Sequence, residues 1–303
     1  MNKNLALFFL ILIQFLFGIN FTTSKIIVEK LDPILWSNFR FLAAGIILLI
    51  FTLFTKRKHP KVTNLFIGKI IILSLLGMAL GQGLFLFGLK FTSSINTSII
   101  TTTIPILTLF IVVIRRQEEL TWPKLVGIML GFMGVIFIRD LGKLSFSSQS
   151  VIGDLLVLLG AFCFALYLSY GKKFLQEHDN LWVTSYMFLI SGIFMCFINI
   201  PKFMDFRLPS MDSVFIVSVL FTIVGATLLT YLLNNIVLKH VSPAQIALFI
   251  YLQPIIAALF GVYFLGESID TRTFICFVII LSGVVITLNE KKLEKTLQRQ
   301  SNR

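Results

Sequence analysis

The sequence predicts an all-α integral membrane protein whose ten transmembrane helices form two inverted five-helix repeats. Three observations carry this prediction: an apolar composition, ten apolar windows separated by short basic segments, and an internal repeat spaced by 147 to 149 residues. The chain has 303 residues, of which 57% are hydrophobic and only 13% are charged, and its mean hydropathy is +0.93. Soluble domains carry about 25% charged residues. The composition therefore excludes an ordinary soluble globular protein.

The apolar windows are predicted to be transmembrane helices, because the length of each window is close to the roughly 20 residues that a helix needs to cross a bilayer. Strands with lipid-exposed edges are excluded, since their backbone groups would lack hydrogen-bond partners in hydrocarbon. The ten predicted spans cover residues 5–24, 34–55, 67–89, 95–114, 121–138, 151–171, 183–200, 213–236, 244–265 and 272–289.

Basic residues in the connecting segments predict the orientation. An even number of spans places both termini on one side, and seventeen Lys and Arg residues fall on that side against eight on the other. The positive-inside rule then places both termini in the cytoplasm. The net charge of +12 has the same origin, and nucleic-acid binding is not expected, because the cations do not form one basic face with interleaved aromatic residues.

An internal repeat divides the chain into two halves. A shift of 147 residues places "FGINFTTSKIIVEKLDPILW" over "FALYLSYGKKFLQEHDNLWV", and a shift of 149 places Pro105 over Pro254. We expect repeats at 5–139 and 150–289, followed by a basic cytoplasmic tail at 290–303. Because five spans is an odd number, the second repeat enters the membrane in the opposite sense. In transporters built this way, the substrate site lies near the middle of the membrane between the repeats.

The sequence lacks the residues that catalysis and metal binding require. No Asp or Glu lies in the middle of a predicted span, and the three His residues all lie in the connecting segments. The three Cys residues lie in apolar runs without metal-ligand spacing. No HExxH, nucleophile-elbow or phosphate-loop motif is present. We expect a protein that is not an enzyme and binds neither a cofactor nor a metal.

Polar side chains inside the spans identify a candidate substrate site, because polar groups in hydrocarbon must face protein or a wet cavity. In the eighth span, five polar residues fall within about 140° of arc at 100° per residue, opposite a Leu-rich face. The alternative is hydrogen bonding between helices, which typically uses single Ser, Thr or Asn residues. The candidate substrate-binding residues are Gln82, Thr101, Thr227, Tyr231, Asn234, Asn235, Gln245, Tyr251 and Gln253.

Three pairs of residues matched across the repeat are candidate gating elements. Asn20 and Tyr167 lie about 7 Å inside the ends of the first and sixth spans, where we expect outer and inner gates respectively. Lys25 and Lys172 mark those ends, although Lys side chains that reach out of the membrane to its surface explain them equally well. Pro105 and Pro254 interrupt the fourth and ninth helices at matched positions, either for motion or as packing kinks.

The segments "FGINFTTSKIIVEKLDPILWSNFRFLAAGIILL" and "SPAQIALFIYLQPIIAALFGVYFLGE" resemble the two halves of EamA-type carriers of the drug/metabolite transporter superfamily. The resemblance covers about residues 5 to 289. The first motif rests on Gly18, Asn20, Lys25, Pro33 and Arg40, and the second on Pro254 and Glu267.

The resemblance implies a ten-helix carrier of the inner membrane, often an exporter of amino acids or related metabolites, that works by alternating access. The chain departs from the usual family pattern at Phe17, where Trp is common. It also lacks the Glu in the first helix on which small multidrug carriers of the superfamily depend.

From the residues and the resemblance together we expect a secondary transporter, most simply an exporter, of small neutral or zwitterionic metabolites such as amino acids. The expected partners are a small-molecule substrate and membrane lipid, and a homodimer is a possible assembly. Two alternatives remain open at this stage. One is a translocase of lipids or polyprenyl carriers, and the other is a membrane receptor or scaffold that has kept a carrier fold without transport.

Overall fold

Helices make up most of the part of the chain that the structure describes. The computed structural model describes residues 2–55, 57–138, 149–198, 209, 211–266 and 271–288, and it contains no strand within those ranges. The predicted tail at 290–303 and Glu267 lie outside the described residues. In chain order the helices are α1 (Lys3–Lys30), α2 (Pro33–Phe54), α3 (Asn64–Phe91), α4 (Ser94–Ile114), α5 (Trp122–Ile138), α6 (Gln149–Glu177), α7 (Asn180–Ile198), α8 (Ser213–Leu238), α9 (Pro243–Leu265) and α10 (Thr271–Leu288).

Among the described residues, eight helices are long and apolar enough to cross a membrane, compared with the ten spans predicted. They are α1 to α4 and α6 to α9. The remaining predicted windows correspond to α5 and α10, which pack against each other. With 17 residues, α5 extends about 26 Å, slightly less than the roughly 30 Å hydrocarbon core. The structure thus shows a helical membrane protein with eight clear candidate spans.

Polar residues directly before seven of the helices accept hydrogen bonds from the first turn, and four of them show the pattern. Asp32 accepts hydrogen bonds from the first amides of α2, and Asp179 does the same for α7. Ser93 and Ser242 cap α4 and α9. Each cap satisfies amides that have no partner within the helix.

Four of the long helices contain irregular segments. Residues Leu75–Leu80 of α3 and Phe221–Leu229 of α8 are π-helical. In α4 the regular helix is interrupted at residues 102–103, just before Pro105, and in α9 a 3₁₀ segment, Phe249–Leu252, precedes Pro254. Proline removes one backbone donor and crowds the preceding turn, which explains why both interruptions lie directly before a proline.

The surface of the bundle carries many large apolar side chains. Phe54 and Tyr263 are each 82% exposed, and Phe197 is 70% exposed. An exposed apolar coat of this extent is unfavourable in water but matches a hydrocarbon environment. Beneath it, Phe17, Phe164 and Phe188 surround the fully buried Tyr231.

Candidate functional site

A cavity lies inside the bundle between helices of both halves of the chain. It encloses about 600 Å³ of empty space, its opening included. The side chains around it come from α1, α3, α4, α6, α8 and α9. The polar residues of the lining are Gln14, Asn20, Gln82, Thr101, Asn234 and Gln253.

Two of the polar groups in the lining are unpaired. The side-chain oxygen Oε1 of Gln82 and the side-chain nitrogen Nδ2 of Asn234 are buried and have no hydrogen-bond partner among the described residues. Leaving a buried donor or acceptor unpaired costs about 1–3 kcal/mol. Gln82 and Asn234 are therefore the lining residues with a buried polar atom whose hydrogen-bonding capacity is unused.

Three other polar side chains of the lining, and Gln14 as the partner of one of them, are hydrogen-bonded within the protein. Gln253 Nε2 donates to Gln14 Oε1 at 2.5 Å and so links α9 to α1. Ser24 Oγ donates to Asn20 Oδ1 at 3.0 Å, and Thr101 Oγ1 donates to the Ser98 carbonyl of its own helix at 2.6 Å.

The remaining wall is apolar and partly aromatic, with Phe17, Phe21, Phe85 and Phe164 as its largest members. On one side the backbones of α3 and α6 approach closely. A Cβ atom at Gly160 would lie 2.7 Å from the Gly81 carbonyl oxygen, so only glycine fits there. No ionisable side chain is among the described residues that line the cavity. An apolar pocket with a few placed hydrogen-bonding groups suits a small molecule without net charge.

A second group of predicted residues lies beside the cavity and forms a closed hydrogen-bonded cluster. The Tyr167 hydroxyl donates to Asn235 Oδ1, and Asn235 Nδ2 donates to Thr184 Oγ1 at 2.8 Å. All three side chains are fully buried. Tyr231 is also fully buried, and its hydroxyl donates to the Gly77 carbonyl at 3.1 Å. These contacts tie α8 to α6, α7 and α3.

Thr227 belongs to a third environment, around the buried Arg40. Arg40 Nε donates to Thr227 Oγ1, and Arg40 Nη2 donates to the Ala226 carbonyl at 3.3 Å. Thr227 in turn donates to the Thr222 carbonyl at 2.6 Å. These bonds attach α2 to the π-helical segment of α8, where carbonyls depart from the regular helical pattern.

The structure places several predicted residues away from the cavity. Gln245 is exposed near the start of α9. The ring of Tyr251 points toward α5, where a Cβ atom at Gly131 would lie 2.3 Å from its hydroxyl oxygen. Pro105 and Pro254 are buried at the helix interruptions and are not part of the lining.

The two predicted gate lysines differ in their surroundings. Lys25 Nζ donates to the carbonyls of Leu89, Lys90 and Thr92 at 2.8 to 3.3 Å. Its positive charge also interacts favourably with the partial negative charge at the carboxyl end of α3. Lys172 is half-exposed near the end of α6. Of the proposed gate pair, Asn20 lines the cavity, whereas Tyr167 lies in the hydrogen-bonded cluster next to it.

Gln14 is a lining residue absent from the predicted substrate site. It is 1% exposed, and it is the one amide in the apolar run from Leu5 to Phe17. A single strongly polar residue in such a run is itself a signal of contact with protein or a cavity. The aromatic residues of the lining carried no such signal, because Phe occurs 32 times in this chain.

The fold defines a polytopic helical membrane protein with a cavity inside its bundle. The family model of the EamA-like transporter family matches residues 4–139 and again residues 151–289. The chain therefore belongs to the EamA-like transporter family.

Relatives that match most of the chain are named as transporters. An uncharacterized transporter of Archaeoglobus fulgidus is 28% identical over 270 residues, covering 88% of this chain and 92% of that protein. The uncharacterized inner membrane transporter YedA of Escherichia coli is 28% identical over 291 residues, covering 94% and 90%. A protein of known crystal structure superposes with a TM-score of 0.72 at 16% identity, covering 96% of this chain and 98% of that one, which indicates a shared fold.

Proposed function

We propose that this member of the family is a secondary transporter of small neutral or zwitterionic metabolites, most simply an exporter of compounds such as amino acids. The observation that carries the proposal is the cavity: its described lining has no ionisable side chain, and it presents the unpaired Gln82 acceptor and Asn234 donor. A guest with one donor and one acceptor satisfies both groups. A guest with net charge would lose its hydration without a counter-charge in return.

We further propose that the protein works by alternating access between two inverted five-helix repeats. Reciprocal packing of α2 and α7 supports this arrangement. A Cβ atom at Gly45 would lie 2.9 Å from the Leu189 side chain, and one at Gly192 would lie 2.7 Å from that of Leu42. The same offset of 147 residues relates Gly45 to Gly192 and Leu42 to Leu189, as expected across a two-fold axis.

The irregular segments provide places for motion. In this scheme the interruptions before Pro105 and Pro254 let the halves of α4 and α9 tilt, while Asn20 and Tyr167 belong to opposite gates. The excess of basic residues on one side supports cytoplasmic termini. A reporter enzyme that functions only in the cytoplasm, fused to the carboxyl terminus, tests this orientation. It should be active if the terminus is cytoplasmic and inactive if the terminus lies on the other side.

The substrate proposal is tested first by ligand binding to the purified protein. Thermal unfolding is measured with the standard amino acids, small amides and polyols, and with monocarboxylates and amines as charged comparators. We expect net-neutral compounds to raise the midpoint. The best of them is then followed in proteoliposomes, where trans-stimulated exchange would be the kinetic signature of alternating access.

The matched variants are Gln82→Leu, which removes the unpaired acceptor, and Gln117→Leu, which makes the same change at an exposed position outside the lining. Loss of a hydrogen bond in a buried site should weaken binding about tenfold in Gln82→Leu, whereas Gln117→Leu should bind as the wild type does. The proposal fails if only charged compounds bind, or if both variants bind equally well.

A further inference from the structure

A second pocket lies at one end of the bundle, where the carboxyl ends of α2 and α8 meet the beginning of α7. It encloses about 570 Å³ of empty space, its mouth included. Phe51 comes from the last turn of α2, Asp179 precedes α7, and Lys239 directly follows α8. These positions lie at the ends of membrane-length helices, where hydrocarbon gives way to water.

The polar side of this pocket carries two cations and one carboxylate. Arg57 Nη1 pairs with Asp179 Oδ2 at 3.1 Å, while the other oxygen of Asp179 caps α7. Lys239 Nζ donates to the His178 carbonyl at 2.6 Å, and none of the ion pairs among the described residues includes it. The three groups therefore leave one positive charge without a counter-charge.

The surroundings of Lys239 disfavour its charge as they stand. Burial lowers the pKa of its ammonium group and the nearby Arg57 guanidinium lowers it further, whereas Asp179 acts in the opposite direction. An anion in the pocket would compensate both unfavourable effects.

The opposite side of the pocket is apolar and faces outward. Phe51 is 55% exposed, and Leu232 and Ile236 of α8 are half-buried. Because the outer surface of α2 and α8 faces hydrocarbon, an acyl chain can lie along these residues. A free phosphate or a soluble carboxylate would leave this wall unused.

We propose that this pocket binds an anionic phospholipid, with the phosphate group between Arg57 and Lys239 and an acyl chain against Phe51, Leu232 and Ile236. Basic pockets between transmembrane helices are a known way of holding such head groups. The site is separate from the central cavity, since no residue lines both. Its role does not depend on which substrate is transported.

The test measures the preference of the full-length protein for spin-labelled phosphatidylglycerol over spin-labelled phosphatidylcholine in reconstituted vesicles. Arg57→Gln and Lys239→Gln should each reduce the preference about fivefold, the effect of one basic residue at a membrane surface. Lys58→Gln is the matched control, because Lys58 is an exposed cation next to Arg57 in sequence that does not line the pocket. It should retain the wild-type preference.

Two further measurements keep the outcome decisive. Elution volume and helical content in detergent identify a variant that has lost its fold, and Phe51→Ala then tests the site without removing a charge. It should weaken phosphatidylglycerol binding while Arg57 and Lys239 remain.

Two outcomes would overturn the proposal. One is a loss of preference in Lys58→Gln equal to that in the pocket variants, which would indicate diffuse surface charge. The other is an unchanged preference in both Arg57→Gln and Lys239→Gln. Stabilisation by inorganic phosphate equal to that by short-chain phosphatidylglycerol would instead assign the pocket to a free anion.

Discussion

Asn234 and Asn235 are neighbours on α8, yet they belong to two different regions of the molecule. Asn234 lines the central cavity and its Nδ2 has no partner among the described residues, whereas both side-chain ends of Asn235 are bonded, to Tyr167 and to Thr184. Both side chains are almost completely buried. Burial of an amide is therefore a poor guide to its role in this protein, and the completeness of its hydrogen bonding is a better one.

The largest effect on stability is expected from Asn235→Leu. The change removes two buried hydrogen bonds and leaves the Tyr167 and Thr184 hydroxyls without this partner. We expect the free energy of unfolding to fall by about 2 kcal/mol, measured by denaturant titration of the purified protein. Tyr167→Phe removes one of the two bonds and should lose part of that amount. Wild-type stability in Asn235→Leu would contradict the assignment of this cluster as a structural contact.

Asn234→Leu should have a smaller effect on stability and a larger one on binding. Since its Nδ2 is unpaired, replacing the side chain by an apolar one of similar size should change the free energy of unfolding by less than about 0.5 kcal/mol. The apparent affinity of the best ligand, obtained from its thermal shift at several ligand concentrations, should fall about tenfold. If Asn234→Leu destabilises the protein more than Asn235→Leu does, the comparison between the two regions is wrong.

Gln245→Leu should have the smallest effect on both measurements. The residue was predicted from helical spacing to bind substrate, but its side chain is exposed near the start of α9 and lies outside the cavity lining. Unfolding and ligand binding should both match the wild type within error. A tenfold loss of binding would instead favour the original prediction, and would mean that α9 rotates to bring Gln245 into the cavity in another state.

Most of the helix positions could be predicted, because a segment must be apolar over about 20 residues to cross the hydrocarbon. The predicted windows 34–55 and 95–114 differ by one residue at most from α2 (Pro33–Phe54) and α4 (Ser94–Ile114). Errors occur where helices continue beyond the apolar run. The window 151–171 stops six residues before the end of α6, because Lys172 and Lys173 end the apolar signal but not the helix.

The site could be predicted only in part. Helical phase correctly indicated that one face of α8 is buried, and the five polar residues predicted on that face, from Thr227 to Asn235, are at most 2% exposed. Phase could not separate those that face the cavity from those that bond to other helices, since that depends on which helix packs alongside. Similarly, Gln14 and Gln253 are 239 residues apart in the sequence, and neither span alone indicates that they meet.

The sequence by itself determined that this chain is a helical membrane protein of the EamA-like transporter family. Both conclusions depend on local properties, namely the length of apolar runs, the position of basic residues and motifs that lie within single segments. Only the tertiary structure decided which buried polar side chains have hydrogen-bond partners. That property depends on partners contributed by distant segments, as the contrast between unpaired Asn234 and fully bonded Asn235 shows.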